Sequence, residues 1–517
     1  MERIPTRSVM RQPRQQGQTK DDGSPTSLLE IKGSICQKED GVQGDERRGS
    51  GLNLPEDLLY YVHALMPMRD AACAAGVSCG FLRSWGSFPN LIFDIDTLGI
   101  NDDYSKIDEI TTDFISRVDH IMRNHSGTGV KIFSLRTYPC DSVHPSYIDR
   151  WLQIAITPGI EEFELLMPWQ NKIEYNFPCW LLSTERGSSL QSFSLDDCAF
   201  HPALEVGCLS GLKCLRLSSV HITAEELCAF LSKSLSLEQL DLLNCSDIVC
   251  LKIPFVLLQL NSLKVQDCIM LELIEIDAPN LSQFLYAGRP IHISLGYPLQ
   301  LRHIQMSSRE SRMLYWVSTN LPSVAPNLQT LYLAPCWEVV NTPIVLPKFI
   351  HLKYLEIVLA ERDHFPGYDF CSLVSFLDGS PSLGTFILRV DFLAIRHDSI
   401  IEYPDYSSLQ PRRLPQHRRD NLKNVLITGF CSAKSMIELT NHIIGSASAL
   451  EYLTLDTSRG HEREIHKSII CMHMPEEALV EVQRARLAFA RHVEGNVPST
   501  VNLRFIEPCS KCLSFDA

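Results

Sequence analysis

The sequence predicts an α/β chain in which a short helical module precedes a curved solenoid with a parallel sheet on its concave face. Three observations predict it. Apolar residues spaced L-x-x-L-x-L recur along most of the chain, regularly from Leu190 to Leu352 and at longer, irregular steps outside that span. The segment ahead of them carries apolar residues at helical spacing. The first fifty residues show almost no apolar periodicity and read as a disordered leader.

Residues 51–95 form the helical module. Leu54, Leu58, Val62 and Leu65 recur at the spacing of one helix face. Pro55 sits where a first turn can lack an N–H, and Glu56 and Asp57 place negative charge at the positive end of the dipole. Pro67 stops that helix. A second runs from Asp70 through Ala71, Ala72 and Ala75, and Phe81, Leu82 and Trp85 predict a third. Three short helices cannot bury all these apolar faces among themselves, so something else must cover them.

The repeat begins at Val130, Ile160, Leu190, Leu212, Leu237, Leu260, Leu281, Leu301, Leu328, Leu352, Leu383, Leu422 and Leu450. From Leu190 to Leu352 the steps are 22, 25, 23, 21, 20, 27 and 24 residues, within the leucine-rich-repeat period. One turn cannot bury its apolar side alone, and stacked neighbours make a continuous core. The ninth position of a repeat turns the chain after its strand. Cys198, Cys245, Cys268 and Cys336 fall on it, which gives these thiols a packing role. Segments such as Ala224–Ser232 read as short helices on the convex side. The solenoid is expected over 125–400, a Pro/Arg-rich loop over 401–420, and a C-terminal cap continuing the solenoid over 421–517. Within the cap, Asn421–Thr457 reads as strand, turn, helix and strand, followed by a helix near Pro475–Val493 and a strand near Val501–Ile506.

Residues 54–94 resemble an F-box of the plant type. The LPEDLL opening is Leu54 to Leu59, the middle is Met66-Pro67-Met68-Arg69-Asp70-Ala71-Ala72, and the close runs from Val77-Ser78 to Trp85. Cys73, Cys79, Phe81 and Ser84 depart from the usual arginine, arginine, tryptophan and leucine. The 421–517 cap resembles the FBD domain that closes many plant F-box/leucine-rich-repeat proteins. The resemblance implies the substrate receptor of a Skp–cullin–F-box ubiquitin ligase, non-catalytic and without a cofactor. In it Leu54, Pro55, Leu58, Val62, Pro67 and Val77 match apolar positions that face the Skp-type adaptor, and through the adaptor a cullin scaffold.

Composition narrows the remaining classes. The 517-residue chain has 47 Lys+Arg against 61 Asp+Glu, a net charge of −14, and no dominant basic block, which disfavours nucleic acid as a partner. No apolar run approaches the roughly 20 residues a bilayer requires, and Met1 to Lys20 lack the apolar core of a secretory signal. Eighteen cysteines in that context read as reduced thiols, placing the chain in the cytoplasm or nucleus. His461 and His466 are five apart, not the four that share a helix face, so His461–His466 is a solvated charged segment. Cys509 and Cys512 are a lone pair, and a zinc site would need further ligands such as Cys471 and His473. Gly127-Thr128-Gly129 is a helix stop, because a phosphate loop runs from strand to helix and not the reverse.

The third, fifth and seventh residues of each repeat point out of the sheet. They nominate Arg216, Asp241, Lys264, Gln305, Tyr332, Tyr354, Glu356 and Arg389 as contacts for a target protein. Two other readings stay open: a leucine-rich-repeat binding protein that works without an adaptor, and a small-molecule-gated receptor. Arg412, Arg413, Arg418 and Arg419 motivate the second.

Overall fold

The computed structural model describes residues 55–509 except 102–105, 127, 169–173, 184–185, 203–208, 297–299, 309, 311–312, 336–347, 361–367, 392–395, 403–411, 413, 415–416 and 459–473. The expected leader at 1–50, Leu54, Cys336, Arg413, the His461–His466 segment, Cys471, His473 and Cys512 lie outside the described residues. Two compact units divide at Gly86 and Ser87.

The first unit is a three-helix module: α1 (Glu56–Ala64), α2 (Met68–Val77) and α3 (Cys79–Trp85). Pro55 and Pro67 occupy the N-cap positions of α1 and α2, as their fixed φ favours. Ala71, Ala72, Ala75, Met68 and Trp85 are buried. The residue that ties the helices together is His63. Its Nε2 meets the Ala71 carbonyl at 3.0 Å, its Nδ1 meets the Ser84 hydroxyl at 2.5 Å, and its ring lies 5.0 Å from that of Phe81. Replacing His63 by Ala therefore removes one buried and one part-buried hydrogen bond and a ring contact at once. We expect about 2–4 kcal/mol of destabilisation of the module, read as early loss of protection at amides 56–85 in hydrogen exchange. Unchanged protection there would mean that His63 holds nothing.

The second unit is built on parallel strands. They are β1 (Asn90–Phe93), β2 (Ile132–Arg136), β3 (Glu162–Leu166), β4 (Ser192–Asp196), β5 (Cys214–Ser218), β6 (Gln239–Leu243), β7 (Cys250–Ile253), β8 (Ser262–Gln266) and β9 (Leu273–Ile276). Then come β10 (Gln283–Ala287), β11 (His292–Leu295), β12 (His303–Ser307), β13 (Thr330–Ala334), β14 (Tyr354–Ala360), β15 (Thr385–Asp391), β16 (Asn424–Thr428), β17 (Tyr452–Asp456) and β18 (Asn502–Ile506). Among the described residues fifteen of these form one sheet in chain order, and β7, β9 and β11 form a second of three. Helices α4 (Ile95–Leu98), α5 (Ile107–Asn124), α6 (Pro145–Ala155), α7 (Ala224–Leu231), α8 (Met313–Val324), α9 (Val374–Asp378), α10 (Lys434–Ser446) and α11 (Glu476–His492) fill the returns between strands.

Each expected repeat from Val130 to Leu450 contributes a strand at its L-x-L positions. In β4 and β8 burial alternates strictly, with Phe193, Leu195, Leu263 and Val265 inside and their neighbours half-exposed. Register is constant across neighbours, so equivalent positions form rows along the sheet. Phe133, Phe163 and Phe193 stack in one such row at 5.8 and 5.4 Å between centroids. After β4, β5, β6 and β8 the chain turns through a left-handed residue: Asp197, Ser219, Asn244 and Asp267, with φ of 51–54°. Asn and Asp tolerate that conformation among L-residues. Each donates its N–H to the last strand carbonyl of the next repeat, as Asn244 does to Gln266 at 2.7 Å. The next residues, Cys198, Cys245 and Cys268, are buried as expected, and Cys245 Sγ lies 3.5 Å from the Leu217 carbonyl.

Two expectations need correction. Among the described residues the sheet opens at Asn90 and not near residue 125. Phe88, Leu91 and Phe93 are fully buried and are a repeat motif with phenylalanine in the leucine places, so residues 90–93 belong to the sheet and not to the helical module. Three consecutive repeats, with steps of 23, 21 and 20, return through the strands β7, β9 and β11 and not through helices. Their return segments are too short for a helix of two turns plus its connections. Among the described residues after Asn421 the elements run strand, helix, strand, helix and strand, the order expected there.

Candidate protein-binding surfaces

The helical module exposes an apolar stripe. Leu58, Tyr61 and Val62 of α1 and Leu65 at its C-cap lie three or four residues apart on one face, and Leu58, Val62 and Leu65 are 49%, 40% and 69% exposed. Pro55 and Pro67 are exposed, and Val77 at the end of α2 is 88% exposed. All the described residues that the resemblance assigned to an adaptor contact are therefore accessible. Two of the four unusual residues of the module, Phe81 and Ser84, and the neighbouring Gly80 point the other way, while Cys73 and Cys79 are exposed. Phe81 and Ser84 meet His63, and the absent Cβ of Gly80 would lie 3.1 Å from Leu59 Cδ1. These changes repack the interior and leave the exposed stripe intact. That could not be read from the motif alone, because His63 carries no local signal.

The open face of the long sheet is the second surface. By strand register Glu164, Ser194, Arg216, Asp241, Lys264, Leu285, Gln305, Tyr332, Glu356, Ile387, Leu426, Thr454 and Arg504 occupy one row. Five nominated contacts lie on this face with usable exposure, Arg216, Lys264, Gln305, Tyr332 and Tyr354, while the Glu356 side chain is only 12% exposed. Asp241 and Arg389 are corrected. Asp241 is 2% exposed and accepts from Arg216 at 3.1 Å and from Gln239 at 3.2 Å, so it positions Arg216 and presents nothing to a partner. Arg389 is 7% exposed, and its Nε donates to Glu356 at 2.6 Å while the Tyr354 hydroxyl donates to the other carboxylate oxygen at 2.5 Å. Burial and the Glu356 charge raise the Tyr332 hydroxyl above its usual range, so it stays a neutral donor.

The charges of this face are thus largely spent on one another. Arg136 likewise meets Glu164 at 2.9 Å. Between the Arg216 and Glu356 clusters and beyond them, Leu285, Tyr332, Ile387 and Leu426 supply half-buried apolar area in the same row. Tyrosine and arginine held in fixed poses beside such area suit protein recognition. Among the described residues no cluster of three or more His, Cys, Asp or Glu side chains could hold a metal ion.

The described residues of the arginine loop do not make an anion site. Arg412 donates to Asp369 at 2.5 Å, Arg418 to Asp420 at 2.5 Å, and buried Arg419 to Asp378 and Ser446. Each described arginine of the group already has its carboxylate, so the motive for a small-molecule-gated receptor falls away.

At the end of β4, burial and the neighbouring Asp196 carboxylate push Asp197 up to about 6. A carboxyl raised in the fold favours folding below its unfolded value and loses that contribution as pH rises through about 6. Asp197→Asn keeps the left-handed turn and removes the charge. It should raise stability at pH 7 by no more than about 1 kcal/mol, since the group is partly in water, and flatten the unfolding midpoint between pH 4 and 7. A midpoint that keeps its wild-type pH slope in the variant would show that another group titrates.

Comparison with known proteins agrees with the repeat architecture. Residues 121–510 match the family described as At1g61320/AtMIF1, LRR domain. A 122-residue stretch, 23% of the chain, is 25% identical to the F-box/LRR-repeat protein At3g58900 of Arabidopsis thaliana and covers 36% of that protein's length. Among solved structures, the TLR13–ssRNA13 complex aligns over 63% of this chain and 45% of the other at 16% identity and a TM-score of 0.33. A leucine-rich repeat protein from Bacteroides ovatus aligns over 57% of this chain and 74% of its own at 10% identity and a TM-score of 0.13.

Proposed function

Since the chain belongs to the At1g61320/AtMIF1 LRR domain family, we propose that it is a plant substrate receptor of a Skp–cullin–F-box ubiquitin ligase. In this reading α1 to α3 are an F-box and hold a Skp-type adaptor, the sheet face holds a target protein, and residues 421–517 are an FBD-like cap. The observation that carries the reading is the solvent-facing stripe Leu58, Tyr61, Val62 and Leu65. A soluble helix normally turns such a stripe inward, and a module this small leaves it for a partner. The similarity to an F-box/LRR-repeat protein supports the same assignment.

The chain itself would do no bond chemistry. Its contribution is proximity: a target held on the sheet and an adaptor held on the module share one chain, which raises the effective concentration of target lysines at a conjugating enzyme. Such a receptor works in the cytoplasm or nucleus. Co-expression of the full chain with a plant Skp-type adaptor, followed by gel filtration, tests the proposal. A co-eluting complex is the expected result. A folded chain that elutes alone beside several adaptors would favour the adaptor-independent binding protein.

A further inference from the structure

Among the described residues the long sheet ends on β18, and three features of that strand describe what would fit beside it. The first is the backbone. Asn502 donates to Glu451 and Ile506 accepts from Thr457, so even-numbered residues of β18 bond to β17. By the alternation of a parallel ladder, the N–H and C=O groups of Leu503 and Phe505 face away from the sheet. The second is burial. Leu453, Leu455, Val425 and Ile427 on the two preceding strands are fully buried, whereas Leu503 and Phe505 in the equivalent rows are only half covered.

The third is charge. Five pairs of neighbouring repeats match charges in register with the cation on the earlier strand or its lead-in: Lys131 with Glu161, Lys213 with Glu238, Arg216 with Asp241, Lys252 with Glu275 and Lys423 with Glu451; Arg389 and Arg136 reach back to Glu356 and Asp94 out of register. Arg504 continues the open-face row on β18 and is exposed. The position that would carry its acid belongs to a strand after β18, and the described residues contain none.

We propose that β18 is a docking edge for an extended peptide segment of another protein, added as a parallel strand. The segment carries a carboxylate in register with Arg504 and apolar side chains in register with Leu503 and Phe505. The main-chain bonds supply affinity and the alternating side chains supply specificity, as in other strand additions to open sheet edges. This surface is separate from both the α1 stripe and the middle of the sheet face, and does not depend on the ligase reading.

Fluorescence anisotropy with the full chain and a labelled peptide Ser-Thr-Val-Glu-Val-Thr-Ser tests it. The peptide should bind, and replacing its glutamate by lysine should weaken binding about tenfold. Arg504→Glu, a change at an exposed side chain, should reverse that preference. N-methylation of the glutamate nitrogen should abolish binding, because that N–H is the donor to the Leu503 carbonyl in a parallel addition. Absent binding, or equal binding of both peptides that Arg504→Glu leaves unchanged, overturns the proposal. Binding that appears only after deletion of residues 510–517 would make the chain's own C-terminal segment the occupant and overturn it too. So would a concentration-dependent dimer in gel filtration that the peptide disperses.

Discussion

Leu58→Asp combined with Val62→Asp should abolish co-purification with a Skp-type adaptor while leaving the chain folded. Both side chains are already 40% or more exposed, so the folded state loses little apolar burial when they go. Aspartate in a helix interior costs about 0.5 kcal/mol per site in propensity. Leu58 also sits close behind Glu56 and Asp57, which adds a small repulsion in the first turn. Melting temperature and far-ultraviolet circular dichroism should therefore stay near wild type. In a complex the balance reverses. Each aspartate would bring an unpaired carboxylate into an apolar contact, at a cost of a few kcal/mol per site. About 4 kcal/mol for the pair corresponds to roughly a thousandfold loss in affinity. Gel filtration of the co-expressed proteins reads this as two separate peaks. A double variant that still co-elutes with the adaptor would place the docking surface off α1 and remove the main support for the ligase reading.

The fold was legible where one residue class does one job. Leucine or its equivalent at three positions of each repeat is enough to locate the strands, because a parallel strand buried on one face needs apolar side chains at alternate places and tolerates almost anything between. The same logic failed at Phe88, Leu91 and Phe93, since that motif lies beside a segment with its own resemblance and uses phenylalanine. Return segments were less legible. A stretch such as Cys250–Ile253 has a period-two pattern only four residues long, and its strand identity comes from pairing with β9 and not from its own sequence.

The candidate surfaces divide the same way. That Arg216 and Asp241 share a row follows from their equal places in successive repeats, so their pairing was readable in principle. What was not readable is which of them stays in water. Asp241 sinks because Gln239 and Arg216 both donate to it, whereas Arg216 keeps its outer face free. Arg389 reaches Glu356 diagonally across β14 and β15, a contact that depends on side-chain length and not on register alone. In the helical module, Phe81 and Ser84 depart from the family pattern, and only the structure supplies their interior partner, His63.

Glu481→Ala should be the most destabilising single change in the C-terminal cap, at about 3–5 kcal/mol. The Glu481 carboxylate is buried on α11 and accepts three hydrogen bonds: from the Ser432 N–H at 2.7 Å, the Ser432 hydroxyl at 2.7 Å and the Arg396 N–H at 3.1 Å. Two of these donors are main-chain groups of loops that no strand or helix satisfies. Removing the acceptor leaves both buried without a partner, which costs the desolvation of each. The loss then spreads along α11, because Phe489 on the same helix stacks at 4.3 Å on Phe505 of the terminal strand. Glu481→Gln separates charge from geometry. Its oxygen can still serve Ser432, but its amide nitrogen then faces the Arg396 N–H as donor against donor, so about half the cost should remain. Burial raises the Glu481 carboxyl above its usual range, so its ionisation lowers cap stability as pH rises through the folded value. Glu481→Gln should lack that pH dependence and Glu481→Ala should lack it as well, at lower stability. Hydrogen exchange resolves the site: protection should fall in 476–506 while the strands from Ile132 to Ser307 keep theirs. Equal loss across the whole repeat array would show that the cap and solenoid unfold as one unit and that Glu481 is not a local clamp.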